Sequence, residues 1–168
     1  RAWLTLRHFL VAQGQAADYE DPQRRALMKP ELVWEVEHGR QLTADAVHAA
    51  SMARSDWYRH MLDLFDRYDA LILPSAQVFP FEASWHWPAA IAGRRMDTYH
   101  RWMEVVIGPT LAGLPVAAMP AGFGAAGLPA GIQIIGPPRA DRAVLEIAAA
   151  YERATDFIAR APQIQTDR

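Results

Sequence analysis

Two apolar segments joined by a glycine-rich turn, at residues 113–135, constrain the fold of this chain more than any other stretch. Within them, Gly122, Gly124 and Gly127 match the G-x-G-x-x-G spacing of a dinucleotide-binding loop. That loop requires a helix to begin at its third glycine, because the phosphates bind at the helix N-terminus. Here Gly127 is followed by Leu-Pro-Ala-Gly and then Ile-Gln-Ile-Ile, which is typical of a strand. We therefore predict a strand, a glycine turn and a second strand, without a nucleotide site.

Length and charge narrow the class of protein. The chain has 168 residues, is 51% apolar and carries a net charge of −2, which fits one folded domain of about 100–200 residues. The charge forms no basic face, which argues against nucleic acid and anionic membranes as partners. No apolar run reaches the ~20 residues of a membrane helix. Because there is no cysteine, disulfides, thiolate catalysis and cysteine metal sites are excluded.

The apolar periodicity predicts helices alternating with three short strands, an α/β arrangement. A polar break is expected over 13–23, and the apolar stripe of the long helix is expected to be core. Three strands would form an incomplete sheet, because the long helices need more surface than such a sheet offers. The predicted helices are 2–16, Pro30 to Gly39, one capped by Thr43, one capped by Asp97 and ending at Gly108-Pro109, and one capped by Asp141; the predicted strands are 69–74, 115–120 and 130–135.

A loop of some twenty residues, 75–95, is the first candidate for function, because connections of that length are uncommon and tend to be functional or mobile. It contains Trp85-His86-Trp87, and tryptophans in such a loop can form the walls of a small-molecule pocket. The alternative is a loop that buried aromatic side chains hold against the body of the protein. The residues alone leave both interpretations open.

The chain offers no complete catalytic centre of its own. Its serines, at positions 51, 55, 75 and 84, do not lie among glycines, and no Gly-x-Ser-x-Gly is present. The six histidines are never three or four residues apart, so a metal site would require chance convergence in space. We therefore predict no catalytic residue, no metal and no cofactor within these residues.

Several motifs in the C-terminal half occur in the order and spacing of one known family. The segment YDALILPS (68–75) precedes the aromatic loop, and AGLPVAAMPAGF and GLPAGIQIIG follow it, before a helix with the pattern D-x-x-V-L. Upstream, RALMKPELVWEVEHGRQLTADAV (25–47) resembles the family's middle region. Together these motifs resemble the C-terminal segment of amidase signature enzymes, over essentially the whole chain. In that family the G-x-G-x-x-G spacing is a strand-to-strand turn.

The resemblance implies a fold and a reaction. The fold would be the C-terminal part of the amidase signature fold, a mixed β-sheet flanked by helices. Residues 1–168 would be one segment of a single domain: 1–68 mainly helical, 69–155 the sheet core and 156–168 a polar tail. The family hydrolyses carboxamide C–N bonds with a serine, a bridging serine in a cis peptide and a lysine. These lie in a Gly/Ser-rich region upstream, and no residue here matches them. The only lysine, Lys29, lies in a KPE stretch.

The resemblance also implies a site and partners. The stretch after LILP would face the substrate, which makes Ser75, Gln77, Trp85 and Trp87 the candidate substrate-binding residues. The tryptophans would tune substrate choice without performing chemistry. Expected partners are a small linear or aryl amide and the catalytic N-terminal part of the same protein, in the cytoplasm, with a homodimer left open. This chain alone would be inactive. Two alternatives remain: a free-standing small-molecule binding module, and a structural subunit of an amidotransferase-like assembly.

Overall fold

A computed structural model describes residues 1–160, which form two compact units, Arg1–His60 and a second that begins at Met61. The first unit is helical: α1 (Ala2–Gly14), α2 (Ala16–Glu20), α3 (Pro22–Arg25), α4 (Pro30–Arg40) and most of α5 (Ala44–Phe65). The second contains the strands. Among residues 1–160, every helix is too short or too polar to span a lipid bilayer.

Helices α1 and α4 pack closely because Gly39 has no side chain. A Cβ at Gly39 would overlap the carbonyl oxygen of His8 and lie 2.5 Å from the Cβ of Ala12. Gly39 was expected from the sequence to end its helix, but α4 continues to Arg40. This glycine therefore serves the close approach of two helices instead of termination.

The expected polar break is also wrong, because residues 13–23 contain short helices. Asp21 caps α3: its carboxylate accepts hydrogen bonds from the backbone N–H groups of Gln23 (2.8 Å) and Arg24 (3.3 Å). Pro22 occupies the first helical position, where its missing N–H costs nothing. Asp-Pro therefore begins a helix here, and the polar composition of this stretch was a misleading sign of a loop.

The long helix α5 begins as expected but is less buried than its pattern indicates. The hydroxyl of Thr43 accepts a hydrogen bond from the N–H of Ala46 at 3.2 Å, as a helix cap does. Along the predicted apolar stripe, only Ala50 and Met61 are buried, and Tyr68 lies beyond the helix and is exposed. The expectation of a continuous core stripe is therefore wrong for the described residues.

The second unit contains a three-stranded sheet in the order β1-β5-β4, formed by β1 (Leu71–Pro74), β4 (Val116–Phe123) and β5 (Pro129–Ile135). Both pairings are antiparallel, with Ile135 opposite both Leu71 and Val116. The turn between β4 and β5 contains Gly127 at φ 73°, a conformation that suits glycine. The strand, glycine turn and strand are as predicted, and no helix begins at Gly127.

Burial within the sheet is uneven. Ile134 and Ile135 on β5 are fully buried, whereas Ile72 and Leu73 on β1 are 57% and 39% exposed. Strand β1 was expected to be a buried strand, but it lies at the edge of the described sheet. Its apolar side chains therefore remain accessible.

Two short strands, β2 (Ala90–Ile91) and β3 (Arg94–Arg95), form a hairpin inside the stretch that was expected to be irregular. Its turn consists of Ala92 and Gly93, both at positive φ. Such turns match the twist of a two-residue hairpin. Because alanine does not indicate this conformation, the hairpin was not predictable from the sequence.

The helix expected from Asp97 to Gly108-Pro109 begins later and ends later. A 3₁₀ helix, Arg101–Val106, leads into α6 (Ile107–Ala112), which Gly113 ends at φ 67°. Pro109 is the third residue of α6, where a backbone N–H has no helical partner, so proline is tolerated. Asp97 pairs with Arg101 instead of capping.

The last long helix, α7 (Asp141–Ala154), starts one residue earlier than its expected cap implies. Asp141 is its first helical residue, and Ala140 holds the cap position without a side-chain hydrogen bond. A short 3₁₀ turn follows at Ile158–Arg160. Of the expected polar tail, residues 161–168 lie outside the described part of the chain.

Candidate functional site

A cavity of about 450 Å³ opens in the second unit where β1 ends and β5 begins. This volume lies within the ~300–1,000 Å³ range of small-molecule pockets. Its wall is the stretch that follows β1, together with the start of β5 and one indole from the 3₁₀ helix. The lining residues are Pro74, Ser75, Ala76, Gln77, Val78, Phe79, Pro80, Phe81, Trp102, Pro129, Ala130 and Gly131.

Ser75 is fixed against β5 at the cavity wall. Its backbone N–H donates to the carbonyl of Gly131 at 2.9 Å. Its hydroxyl lies directly over Gly131, and a Cβ at that position would overlap it. Gly131 therefore provides the space that the Ser75 side chain occupies.

Gln77 also lines the cavity, but part of its amide is already used. Its Oε1 accepts a hydrogen bond from the backbone N–H of Val105 at 3.1 Å. The carbonyl of Val105 accepts in turn from Nε2 of Gln133 at 3.1 Å, and the same Nε2 donates to the carbonyl of Pro74 at 2.9 Å. Gln133 is buried, at 3% exposure.

Aromatic rings form one side of the cavity. Trp102 meets Phe81 edge to face, with ring centroids 5.4 Å apart, and Trp85 stacks on the same Phe81 at 6.2 Å. The indole Nε1 of Trp102 is buried and has no hydrogen-bond partner among residues 1–160. Trp85 is exposed and is not a lining residue.

Trp87 lies apart from the cavity wall. Its Nε1 donates to the carbonyl of Met96 at 3.3 Å, and its ring meets Tyr99 edge to face at 6.1 Å. Of the four candidate residues, the structure therefore places Ser75 and Gln77 in the wall, Trp85 behind a wall residue, and Trp87 in a neighbouring aromatic contact. Their role in substrate binding stays a prediction.

Three residues at the cavity, Gln133, Phe81 and Trp102, were not among the candidates drawn from the sequence. Gln133 had a usable signal, because a glutamine inside an apolar strand requires buried hydrogen-bond partners. Neither Phe81 nor Trp102 was singled out from the sequence. Trp102 reaches the cavity from a 3₁₀ helix in which the backbone angles of Met103 are not helical. No sequence pattern predicted this geometry.

The chemistry available in the wall is polar but uncharged. None of the described lining residues carries an ionisable side chain, and the described part of the chain holds no group of three or more potential metal ligands. In the first unit, His8 and His38 do approach each other, with ring centroids 5.7 Å apart. His38 directs its Nδ1 at the carbonyl of Trp34, 2.8 Å away.

Comparisons with known proteins agree on one family. The family model described as Amidase matches residues 6–145. A glutamyl-tRNA(Gln) amidotransferase subunit from Dehalococcoides mccartyi is 37% identical over 102 residues, which are 60% of this chain and 19% of that protein. The corresponding subunit from Myxococcus xanthus is 36% identical over 110 residues, 66% of this chain and 21% of that protein.

Solved structures show the same fold. A bacterial aryl acylamidase of the amidase signature family superposes with a TM-score of 0.77 at 28% identity, over 89% of this chain and 32% of that one. A 6-aminohexanoate cyclic dimer hydrolase gives 0.76 at 20% identity, over 97% and 37%. The chain thus spans about a fifth of the two sequence relatives' length and about a third of these structures. Its motifs, its strand-to-strand glycine turn and the match over residues 6–145 place this chain in the amidase signature family.

Proposed function

We propose that this chain is the C-terminal segment of an amidase that hydrolyses the C–N bond of a neutral linear or aryl amide. A serine, a bridging serine and a lysine in the upstream part of the protein would perform the chemistry. The cavity at the end of β1 would hold the acyl or leaving group of the substrate. The observation that carries this proposal is the neutral, aromatic wall of that cavity.

The lack of charge in the wall favours an uncharged substrate group. Moving a carboxylate or an ammonium from water into a site without an ionic partner costs on the order of several kcal/mol in lost hydration. Phe81, Trp102 and the three prolines offer apolar contact area instead. The Ser75 hydroxyl and the Gln77 amide supply the few polar groups that orient a ligand.

The exposed strands support the proposal that these residues belong to a larger sheet. Ile72, Leu73, Val116 and Phe123 are all more than a third exposed, although they lie on strands. Apolar strand residues of this kind are normally covered by further protein. We propose that the catalytic part of the same protein covers them. In that case the chain alone should bind a hydrophobic dye such as ANS, and absence of dye binding by a cooperatively folded monomer would count against the proposal.

An amidotransferase subunit is the second candidate, and the names of the sequence relatives favour it. A glutamyl group carries both a carboxylate and an ammonium. The described cavity wall has no ionic partner for either. A neutral amide therefore fits the wall better, and the two candidates differ in a measurable preference.

The decisive experiment compares two substrates with the same leaving group in the protein at its natural length. One is butyranilide, with an uncharged acyl group, and the other is γ-glutamyl anilide, whose acyl group carries both charges. The proposal expects kcat/KM to favour butyranilide by more than about tenfold, which corresponds to about 1.4 kcal/mol. A preference for the glutamyl substrate, or activity confined to glutamyl-tRNA, would support the amidotransferase candidate instead.

Two controls locate the chemistry. The 168-residue chain alone should hydrolyse neither anilide, because its sequence contains no match to the serine pair or the base. Turnover by this chain that Ser75→Ala abolished would overturn the assignment. In the protein at natural length, Ser75→Ala should change KM and leave kcat for the smallest amide within about tenfold.

A further inference from the structure

The peptide groups of Val105 are held on both sides by side-chain amides. Its N–H donates to Gln77 Oε1 and its carbonyl accepts from Gln133 Nε2, each at 3.1 Å. The second bond of Gln133, to the carbonyl of Pro74 at 2.9 Å, uses the same nitrogen. Because both partners of Gln133 are carbonyl oxygens, which only accept hydrogen bonds, its NH₂ group and not its oxygen must face them. We call these three hydrogen bonds the amide clamp.

The amide clamp joins the three segments that enclose the cavity. Pro74 is the last residue of β1, and Gln77 lies in the stretch that follows it. Gln133 follows the lining residue Gly131 by two positions on β5, and Val105 follows Trp102 by three positions on the 3₁₀ helix. That helix is irregular at Met103, whose φ is −113°. The clamp therefore fixes a segment whose backbone departs from regular helical geometry.

We propose that Gln77 and Gln133 are positioning residues that set the distance between Trp102 and the Pro74–Phe81 wall, and so the size of the neutral group that the cavity accepts. This inference rests on the proposed function, in that the cavity is taken as the substrate site. It gives Gln77 a role different from the direct substrate contact that the family resemblance implied.

The two glutamines have opposite chemical requirements, which makes the proposal testable. Position 77 supplies an acceptor, so Gln77→Glu keeps the bond to the Val105 N–H. Position 133 supplies two N–H donors, so Gln133→Glu directs an anion at two carbonyl oxygens. The same substitution is therefore tolerated at one position and disruptive at the other. Gln13→Glu on the exposed face of α1 is the matched control.

The first measurement needs no substrate: hydrogen exchange of the Val105 amide by NMR, in the protein at its natural length. Gln77→Leu should accelerate this exchange by about tenfold, the factor that corresponds to one lost hydrogen bond. Gln77→Glu and Gln13→Glu should leave it near the native rate. Unchanged exchange in Gln77→Leu would overturn the clamp, whether or not the protein hydrolyses any amide.

The second measurement is the dependence of KM on substrate size across anilides with acyl chains of two to eight carbons. Gln133→Glu should change the KM ratio of the largest to the smallest anilide by about tenfold with little change in kcat. Acidification should partly restore the native ratio in this variant alone, because the protonated carboxyl regains a donor. If Gln133→Glu does not fold, Gln133→Met, which removes the donors without adding charge, replaces it.

The outcomes separate the two proposals. Fast Val105 exchange in Gln77→Leu together with a native KM ranking in every variant would overturn the role in cavity size and leave the proposed amidase function intact. Absence of anilide hydrolysis by the wild type would overturn the proposed function. In that case the ranking is measured as the binding affinity of the same anilides, and a native ranking in Gln133→Met again overturns the positioning role.

Discussion

The two units of this chain stabilise their packed segments in different ways. In the helical unit, charged pairs connect the helices: Arg7 reaches the buried carboxylate of Glu35 at 2.9 Å, and Arg25 bonds to Glu37 at 3.1 Å. Around the cavity of the second unit, the neutral amides of Gln77 and Gln133 connect the segments instead. Neutral amides fix geometry without imposing a local charge, and the proposed site for an uncharged ligand would gain from that.

The largest expected effect comes from breaking the buried ion pair of the helical unit. Glu35 is 3% exposed, whereas the Arg7 side chain is 39% exposed. Arg7→Met should therefore destabilise more than Glu35→Gln, because it removes the cation that faces a buried carboxylate. Breaking a fully buried pair in this direction costs about 3–5 kcal/mol, and the partly exposed arginine places this pair toward the lower end of that range. Urea denaturation monitored by circular dichroism measures the free energy of unfolding of both variants.

The matched control is Arg59→Met, which removes an arginine from an exposed pair with Asp56 on α5. Exposed pairs contribute about 0–1 kcal/mol, so this variant should unfold close to the wild type. If Arg7→Met and Arg59→Met were equally mild, the buried pair would contribute no more than a surface pair. The charged pairs of the helical unit would then not contribute the stability that distinguishes this unit from the neutral surroundings of the cavity.

A glycine substitution should have the next largest effect on the helical unit. Gly39→Ala places a methyl group against the His8 carbonyl, and overpacking of this kind costs about 1–3 kcal/mol. Gly14→Ala, at the end of α1, meets no atom within 4 Å and should be neutral or slightly stabilising. Thermal denaturation compares the pair. A stable Gly39→Ala variant would show that α1 and α4 can separate without cost.

Local features of this chain were more predictable from its sequence than long-range ones. The β4–β5 turn, the Thr43 cap and the strands of the three-stranded sheet were predictable, because glycine conformation, cap chemistry and apolar runs act over a few residues. The exposure of β1 and the amide clamp were not, because both depend on segments far apart in sequence. Gln77 and Val105 are 28 residues apart, as are Val105 and Gln133. Ser75 and Gln77 were located by resemblance, and only the structure showed that the Gln77 side chain bonds to the backbone.

A smaller effect is expected at the two loop tryptophans, Trp85 and Trp87. Trp85→Ala removes an exposed ring that stacks on the lining residue Phe81, a contact of about 0.5–1.5 kcal/mol. Trp87→Ala should alter KM and the ranking of amides, with the rate for the smallest amide within about tenfold. A kinetic panel of acetamide and aryl amides measures both variants. A uniform loss of kcat with unchanged ranking would show that these rings support the fold or the chemistry instead of selection.

The smallest expected effect concerns a charged pair in the second unit, next to Trp102. Arg101 holds Asp97 through two hydrogen bonds, of 2.8 and 3.1 Å, and this hydrogen bonding lowers the pKa of Asp97 below its ordinary 3.8. A carboxyl whose pKa is lower in the folded state stabilises the fold above its unfolded pKa, and that contribution is lost as the pH falls through the folded pKa. The stability contributed by this pair should therefore be lost below about pH 4. The loss should be slight because the pair is solvent-exposed.

An NMR titration of the Asp97 carboxyl carbon measures this effect directly. Arg101→Gln should return the Asp97 midpoint toward 3.8, and 1 M NaCl should reduce the wild-type shift, since the Debye length falls to about 3 Å. An Asp97 midpoint that was identical in wild type and Arg101→Gln would show that the pair does not persist in solution. Cavity binding of a neutral anilide should be the same above and below this midpoint, because no titrating group lies in the described wall. If the affinity for the anilide changed with pH in that range, the charge of Asp97 would influence the bound ligand. The cavity could then no longer be described as electrostatically neutral in contrast to the helical unit.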